Sequence, residues 1–108
     1  MSVEIYGTEE NSEKFRCIGV SGEETFNSFL QKAIDELKLH LIGNGVWLYK
    51  KDLENILGEF SAVREYIHQS EDIPLQYREN LSAHIGEIMD ALKDNWNEVP
   101  QAERLWMG

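Results

Sequence analysis

The stretch from Pro74 to Val99 constrains the fold most, because as a helix it can bury only one of its sides. At about 100° per residue, its apolar residues fill an arc of roughly 100° and its acidic residues fill the opposite arc. The pattern predicts a long amphipathic helix with one face on a core and a negatively charged face in solvent. The apolar positions are Leu81, Ile85, Ile88, Met89, Leu92 and Trp96, and the acidic positions are Glu79, Glu87, Asp90, Asp94 and Glu98.

Two further helices are predicted earlier in the chain. The first begins at Ser21, which matches the capping-box pattern with Glu24 three residues later. Apolar residues then recur at helical spacing until the glycine-rich turn 43–45, which ends the helix. The second helix has Asp52 as its predicted cap and runs from Leu53 to about Gln69.

Three short segments have the β-branched, aromatic and apolar composition of strands: Val3–Tyr6, Phe15–Val20 and Val46–Tyr49. The order β-β-α-β-α-α predicts an α+β fold, in which a small antiparallel sheet of about three strands packs in two layers against three helices. The length suits a single domain, residues 1–108. The tail 101–108 either folds back onto the core or frays. Without the third strand, the expected fold is a three-helix bundle beside a hairpin.

The charge balance limits the class of partner. Twenty acidic residues face ten Lys and Arg residues, and the net charge is −10. This balance disfavours nucleic-acid binding, because Lys50-Lys51 is the only basic pair and no basic groove can form. It favours fast encounter with cationic partners, or simply keeps the protein soluble. No apolar run approaches the roughly 18 residues of a membrane span, and no secretory signal is visible, so we expect a cytoplasmic protein.

Candidate catalytic and metal-binding residues have simpler structural interpretations. Cys17, the only cysteine, lies among apolar residues and is predicted to be a small buried side chain. Ser21 lies in a Gly-Val-Ser-Gly-Glu segment that lacks the final glycine of a nucleophile elbow. His68 and His84 are each three residues from a glutamate, but a di-iron site needs two Glu-x-x-His motifs and two further glutamates that point inward from four helices. The sequence therefore predicts no enzyme, no cofactor and no metal site.

The acidic residues of the last helix, with neighbouring acids and a tyrosine, form the predicted binding surface. Carboxylates on one face can form charge-assisted hydrogen bonds to Arg and Lys of a partner, and a tyrosine can anchor the interface. A solvated face with ordinary glutamates is the alternative. The predicted partner-binding residues are Glu71, Asp72, Tyr77, Glu79, Glu87, Asp90 and Asp94.

In length, acidity, lack of active-site motifs and order of elements, the chain resembles the small acidic immunity proteins of bacteria. These proteins protect their host against its own polymorphic or contact-dependent growth-inhibition toxins. The resemblance covers the whole chain and no single motif carries it, so no residue roles are transferred. It implies an immunity protein that binds a cognate toxin domain with a basic surface, often a nuclease, and blocks its active site or a nearby site.

Three alternatives stay open at this point. The acids could mimic nucleic acid and inhibit a DNA-binding enzyme, in which case they should follow a duplex-like spacing across several elements. The protein could instead bind a small molecule in a cleft between helices and sheet. It could also form a structural homodimer through an exposed apolar patch of Trp47, Trp106 and Met107. The oligomeric state is open, and a monomer is preferred.

Overall fold

Four antiparallel strands form one sheet in this computed structural model, which describes residues 1–108. The strand order across the sheet is β2-β1-β4-β3, so the last strand of the chain lies between β1 and β3. Strands β2 and β3 are the two edges. The strands are β1 (Ser2–Tyr6), β2 (Ile18–Gly22), β3 (Val46–Tyr49) and β4 (Arg104–Met107).

Three helices complete the α+β fold that the sequence predicts. Helix α1 consists of three consecutive segments, Glu23–Thr25, the π-helical Phe26–Leu30 and Gln31–Glu36. Helix α2 is Leu53–Gln69 and helix α3 is Leu75–Glu98. Short 3-10 turns, Glu10–Ser12 and Lys50–Asp52, precede β2 and α2. No helix is long and apolar enough to cross a bilayer.

The helices and the sheet share one core of 24 buried apolar residues. Burial alternates along the strands, with Val3 and Ile5 buried in β1 and Leu105 and Met107 buried in β4. This alternation gives the sheet one face against the helices and one face towards solvent. The predicted apolar stripe of α3 supplies much of the helical side of the core: Ile85, Ile88, Leu92 and Trp96 are buried.

The tail folds back as β4 and supplies a fourth strand. Strand β3 pairs with β4, for example Leu48 with Leu105, and reaches the β1–β2 hairpin only through it. A sheet of three strands would need β3 to pair directly with the β1–β2 hairpin, and this pairing does not occur. The reason is that the tail has its own alternating apolar residues, and inserting it buries Leu105 and Met107 completely.

The predicted start of the first helix is also wrong. Ser21 pairs with Val3 as part of β2, and Gly22 stands at the helix start without a side-chain cap. The hydroxyl of Ser21 donates to the Gly22 carbonyl instead of capping the helix. Strand pairing to β1 fixes the backbone at this point, so the second strand runs from Ile18 to Gly22 and not from Phe15 to Val20.

Two other helix termini differ from the sequence patterns. Helix α1 ends at Glu36 because Lys38 takes a positive φ of 56°, after which the N–H of Leu39 bonds to the carbonyl of Ile34. The helix therefore stops before the glycine-rich turn, where Gly45 has a φ of 96°. Asp52 stands at the start of α2, but its side chain caps no backbone N–H.

Candidate partner-binding surface

The solvent side of α3 carries the five acidic residues that the helical pattern placed there. All five side chains are exposed, while the opposite side of the helix is buried in the core. The predicted separation of apolar and acidic faces is therefore present in the structure. We call this set the acidic face: Glu79, Glu87, Asp90, Asp94 and Glu98.

Cations of the same chain neutralise part of the acidic face. Two ion pairs involve it, Arg16 to Glu98 at 3.6 Å and Lys93 to Asp90 at 3.6 Å, and the Nδ1 atom of His84 lies 3.3 Å from Glu87. Glu79 and Asp94 have no basic nitrogen within 4.0 Å. The paired side chains are themselves solvent-accessible, so each pair contributes only about 0–1 kcal/mol and can be exchanged at little cost.

A groove runs between the acidic face and the β2 end of the sheet. Its volume is about 560 Å³. The buried side chains of Ile18 and Ile88 lie at its base. Its lining includes three predicted binding residues from α3: Glu87, Asp90 and Asp94. An apolar base beside three carboxylates is complementary to a side chain with a methylene stem and a cationic end.

Two hydrogen-bonded side chains hold α3 against the strand side of this groove. His84 has its Nε2 atom 3.0 Å from the carbonyl oxygen of Gly19 in β2 and its Nδ1 atom 3.3 Å from Glu87. Because both neighbours are acceptors, an imidazolium donates to both, whereas a neutral ring donates to only one. The buried Asn95 accepts from Arg16 at 3.0 Å and donates to the Ala91 carbonyl. These contacts connect α3 to β2 and to the segment before it.

The remaining predicted residues lie at the other end of the helix. Glu71 and Asp72 are in the turn before α3, and Tyr77 is 59% exposed in its first turns. Leu75, 58% exposed, adds an apolar side chain that the sequence analysis missed. At 1.5 Å per residue, Glu79 lies about 12 Å along the helix axis from Glu87, the nearest acid of the groove. The predicted site is therefore two separate clusters, one around the start of α3 and one in the groove.

Sequence reasoning missed the strand wall of the groove. Arg16, Cys17 and Gly19 line it from the β2 side, and His84 lines it from α3. The three-residue spacing between His84 and Glu87 was a usable local signal. No local signal joins His84 to Gly19, because 65 positions separate them and only the packing of α3 beside β2 brings them together.

Cys17 is exposed, so its predicted burial is wrong. It lies just before β2, where Phe15, Ile18 and Val20 take the buried positions. Its thiol donates to a carboxylate oxygen of Glu4 at 2.9 Å. Although the residue is exposed, partial desolvation of the sulfur, followed by this hydrogen bond and the charge of Glu4, raises the pKa of Cys17 to about 11.

We expect the Cys17 thiol to react slowly with iodoacetamide at pH 8. Raising its pKa from 9.0 to about 11 cuts the thiolate fraction roughly a hundredfold, and the greater nucleophilicity of the remaining thiolate leaves a rate about tenfold below that of a free thiol. Mass spectrometry of time points measures the rate, with glutathione as reference. Glu4→Gln should increase the rate, because it removes the charge and the carboxylate acceptor. A rate equal to that of glutathione would contradict the raised pKa of Cys17.

The proposed apolar homodimer patch is only partly present. Met107 is fully buried, so its prediction as an exposed residue is wrong. Trp47 and Trp106 are half-buried on the solvent face of the sheet, where their rings meet edge-on at 5.0 Å. The guanidinium of Arg104 covers the Trp47 ring at 4.0 Å and also pairs with Glu9. These contacts shield much of the aromatic surface within the chain.

Metal binding and family membership add no further assignment. No group of three or more His, Cys, Asp or Glu side chains is placed to hold a metal ion. Tyr66 donates to Glu36 at 2.5 Å and so links α2 to α1.

Comparison of the chain with protein-family models, curated proteins and solved structures finds no match.

Proposed function

We propose that this protein is a cytoplasmic immunity protein, without catalytic activity, that binds a basic surface of a cognate toxin domain and neutralises it. The observation that carries the proposal is the groove between β2 and α3, where Glu87, Asp90 and Asp94 lie beside an apolar base. An Arg or Lys side chain of the toxin enters this groove. Its stem lies over Ile88, and its charged end meets the carboxylates.

The state of the acids in the free protein supports this binding mode. Asp94 has no cation of its own chain within 4.0 Å, and Asp90 has only the exposed Lys93. Forming a new ion pair therefore breaks little that stabilises the free protein. When the partner excludes water from the groove, charge-assisted hydrogen bonds to these acids strengthen, and loss of one desolvated pair costs about 2–5 kcal/mol.

The cluster at the start of α3 supplies a second contact. The exposed side chains of Leu75 and Tyr77 can enter an apolar pocket of the toxin, with Glu71, Asp72 and Glu79 around them. Helix α3 has 24 residues, and its length of about 36 Å is sufficient for both clusters to meet one partner. An interface of roughly 800 Å² on each protein would cover them.

The arrangement favours a protein partner over the nucleic-acid-mimic alternative. The three acids of the groove, Glu87, Asp90 and Asp94, lie on successive turns of a single helix. The apolar residues at the base of the groove and at the start of α3 also have no counterpart in a phosphate backbone. They match the mixed apolar and charged contacts of a protein interface.

Co-expression tests the proposed function. The toxin domain is sought in the neighbouring gene for a large secreted protein with a variable C-terminal domain. The toxin domain expressed alone should arrest growth, and co-expression of the wild-type chain should restore growth. The double variant with Asp90→Lys and Asp94→Lys should fail to restore growth, because its lysines would face the cations of the toxin across the interface. Growth arrest that the wild-type chain leaves unchanged, in cells that contain folded protein, would reject the proposal.

A further inference from the structure

The two edges of the sheet are protected to different degrees. At the β2 edge, helix α3 lies alongside and His84 occupies the carbonyl of Gly19. The β3 edge pairs only with β4 on its inner side. Its sequence, Val46–Tyr49, contains no charge and no proline, which are the usual means of blocking an edge strand. An open edge of this kind is a template for one more strand.

The backbone of β3 presents its hydrogen-bonding groups in a defined pattern. The N–H of Lys50 donates to the carbonyl of Glu103 at 2.8 Å, so the peptide groups of Lys50 face β4. Because every second residue of an antiparallel strand faces the same neighbour, the peptide groups of Leu48 and Val46 also face β4. In an antiparallel ladder the alternate residues face the other way. The peptide groups of Trp47 and Tyr49 therefore point towards the open edge, where no strand accepts or donates.

Two lysines at the carboxyl end of β3 lack carboxylate partners. Neither Lys50 nor Lys51 has an acidic oxygen within 4.0 Å, although the chain contains twenty acids. Lys50 donates to the Pro100 carbonyl at 2.7 Å, and the Lys51 nitrogen lies 5.6 Å from the centre of the Tyr49 ring. These are the only adjacent cations in the sequence, and both follow β3 directly.

A cavity of about 610 Å³ adjoins these lysines. Tyr49, Lys50 and Lys51 line it from the end of β3, and Pro100 and a single acid, Glu103, line it from the segment that leads into β4. The cavity is thus locally cationic on a strongly anionic protein. A negatively charged group beside β3 would be attracted to this place and repelled by most of the remaining surface.

We propose that the open edge of β3 binds an extended, carboxylate-bearing peptide segment of a partner protein as a fifth strand. The peptide pairs with the outward peptide groups of Trp47 and Tyr49, and its carboxylate extends past the end of β3 to Lys50 and Lys51. Main-chain pairing supplies affinity, and the carboxylate fixes direction and register. This surface is separate from the acidic face of α3, and its occupancy does not depend on the proposed function.

A second copy of the chain fits the same edge less well. Pairing two four-residue strands buries far less than the roughly 1,200–2,000 Å² of a stable interface. Each copy also carries a net charge of −10, so two copies repel each other. The residues next to the start of β3, Gly43–Gly45, include no acid that could meet the lysines of a two-fold mate. The charge therefore selects an acidic peptide.

Selection from peptide pools tests this inference. Two pools of synthetic hexapeptides, one with free C-terminal carboxylates and one amidated, are passed over the immobilised full-length protein. The retained peptides are then identified by mass spectrometry. We expect retained peptides from the amidated pool to be rich in Asp and Glu if a side chain supplies the carboxylate. Enrichment only in the free-carboxylate pool would assign the contact to a C-terminus. Failure of both pools to enrich carboxylate-bearing peptides would overturn the inference.

Matched variants locate the bound peptide. Tyr49→Pro removes an outward N–H without touching the ladder to β4, and should weaken binding about tenfold or more. Tyr49→Val keeps the N–H and is the control. Lys50→Gln with Lys51→Gln should weaken binding to a similar degree. Amide exchange by NMR should slow at Trp47 and Tyr49 when a retained peptide is added. Binding that leaves both amide exchange rates unchanged would place the peptide elsewhere and refute the proposal.

Discussion

We expect deletion of residues 104–108 to abolish the cooperative unfolding transition. Strand β4 lies between β1 and β3, so its removal separates β3 from the rest of the sheet. The deletion also removes Leu105 and Met107, both fully buried, each of which stabilises the fold by about 1.5–3 kcal/mol. With the lost ladder bonds, at about 1 kcal/mol each, the total is comparable to the 5–15 kcal/mol stability of a typical domain.

Thermal and denaturant unfolding followed by circular dichroism measure this effect. Trp106→Thr is the matched control, because it keeps the β4 backbone and changes a half-buried side chain on the solvent face. The control should still unfold cooperatively. A truncated chain that keeps a sigmoidal transition and native near-ultraviolet dichroism would show that the tail is dispensable, contrary to its position in the sheet.

The second large effect is expected from Trp96→Ala, which should destabilise the protein by about 3–5 kcal/mol. Trp96 is 1% exposed and is the largest fully buried side chain. Its indole N–H donates to the Ala102 carbonyl at 2.6 Å, and its ring meets Phe15 edge-on at 6.1 Å. The substitution therefore leaves a large cavity, an unpaired carbonyl and a loosened connection between α3 and the tail.

Urea unfolding measures the loss, and Trp96→Phe separates its causes. Phenylalanine restores most of the apolar volume but cannot donate to Ala102, so it should lose less than the alanine variant and still more than a surface change. Lys93→Ala, on an exposed position one turn earlier, is a suitable surface reference. A loss below about 1 kcal/mol for Trp96→Ala would mean that the indole is not a central part of the core.

The long helix could be predicted from sequence because its periodicity is local and continues over many turns. Positions such as Ile85 and Leu92 recur on one side and are buried there. Strand β4 could not be predicted with the same means. Four residues, Arg104–Met107, give a weak alternating pattern, and their partners in β1 lie about a hundred positions away. Pairing at such a distance depends on the rest of the fold.

Local patterns also failed where tertiary pairing competed with them. Ser21 has the neighbours of a helix cap, but its backbone is taken by β1. Cys17 has apolar neighbours, but it lies in the irregular segment before β2 and is exposed there. For the candidate site, spacing along the helix placed Glu87, Asp90 and Asp94 together, and they line one groove. The β2 wall of that groove was outside the reach of any spacing rule, because only tertiary packing brings β2 beside α3.

The association rate between this chain and the toxin domain tests the central claim most directly. Stopped-flow measurements at several salt concentrations compare two double variants. One carries both Asp90→Lys and Asp94→Lys on α3, and the control carries both Glu54→Lys and Glu65→Lys on exposed positions of α2. Both pairs change the net charge equally. We predict that the α3 pair slows association about tenfold or more at low salt and flattens its salt dependence, while the α2 pair has a much smaller effect. Equal rates for the two variants would contradict the assignment of the acidic face as the binding surface.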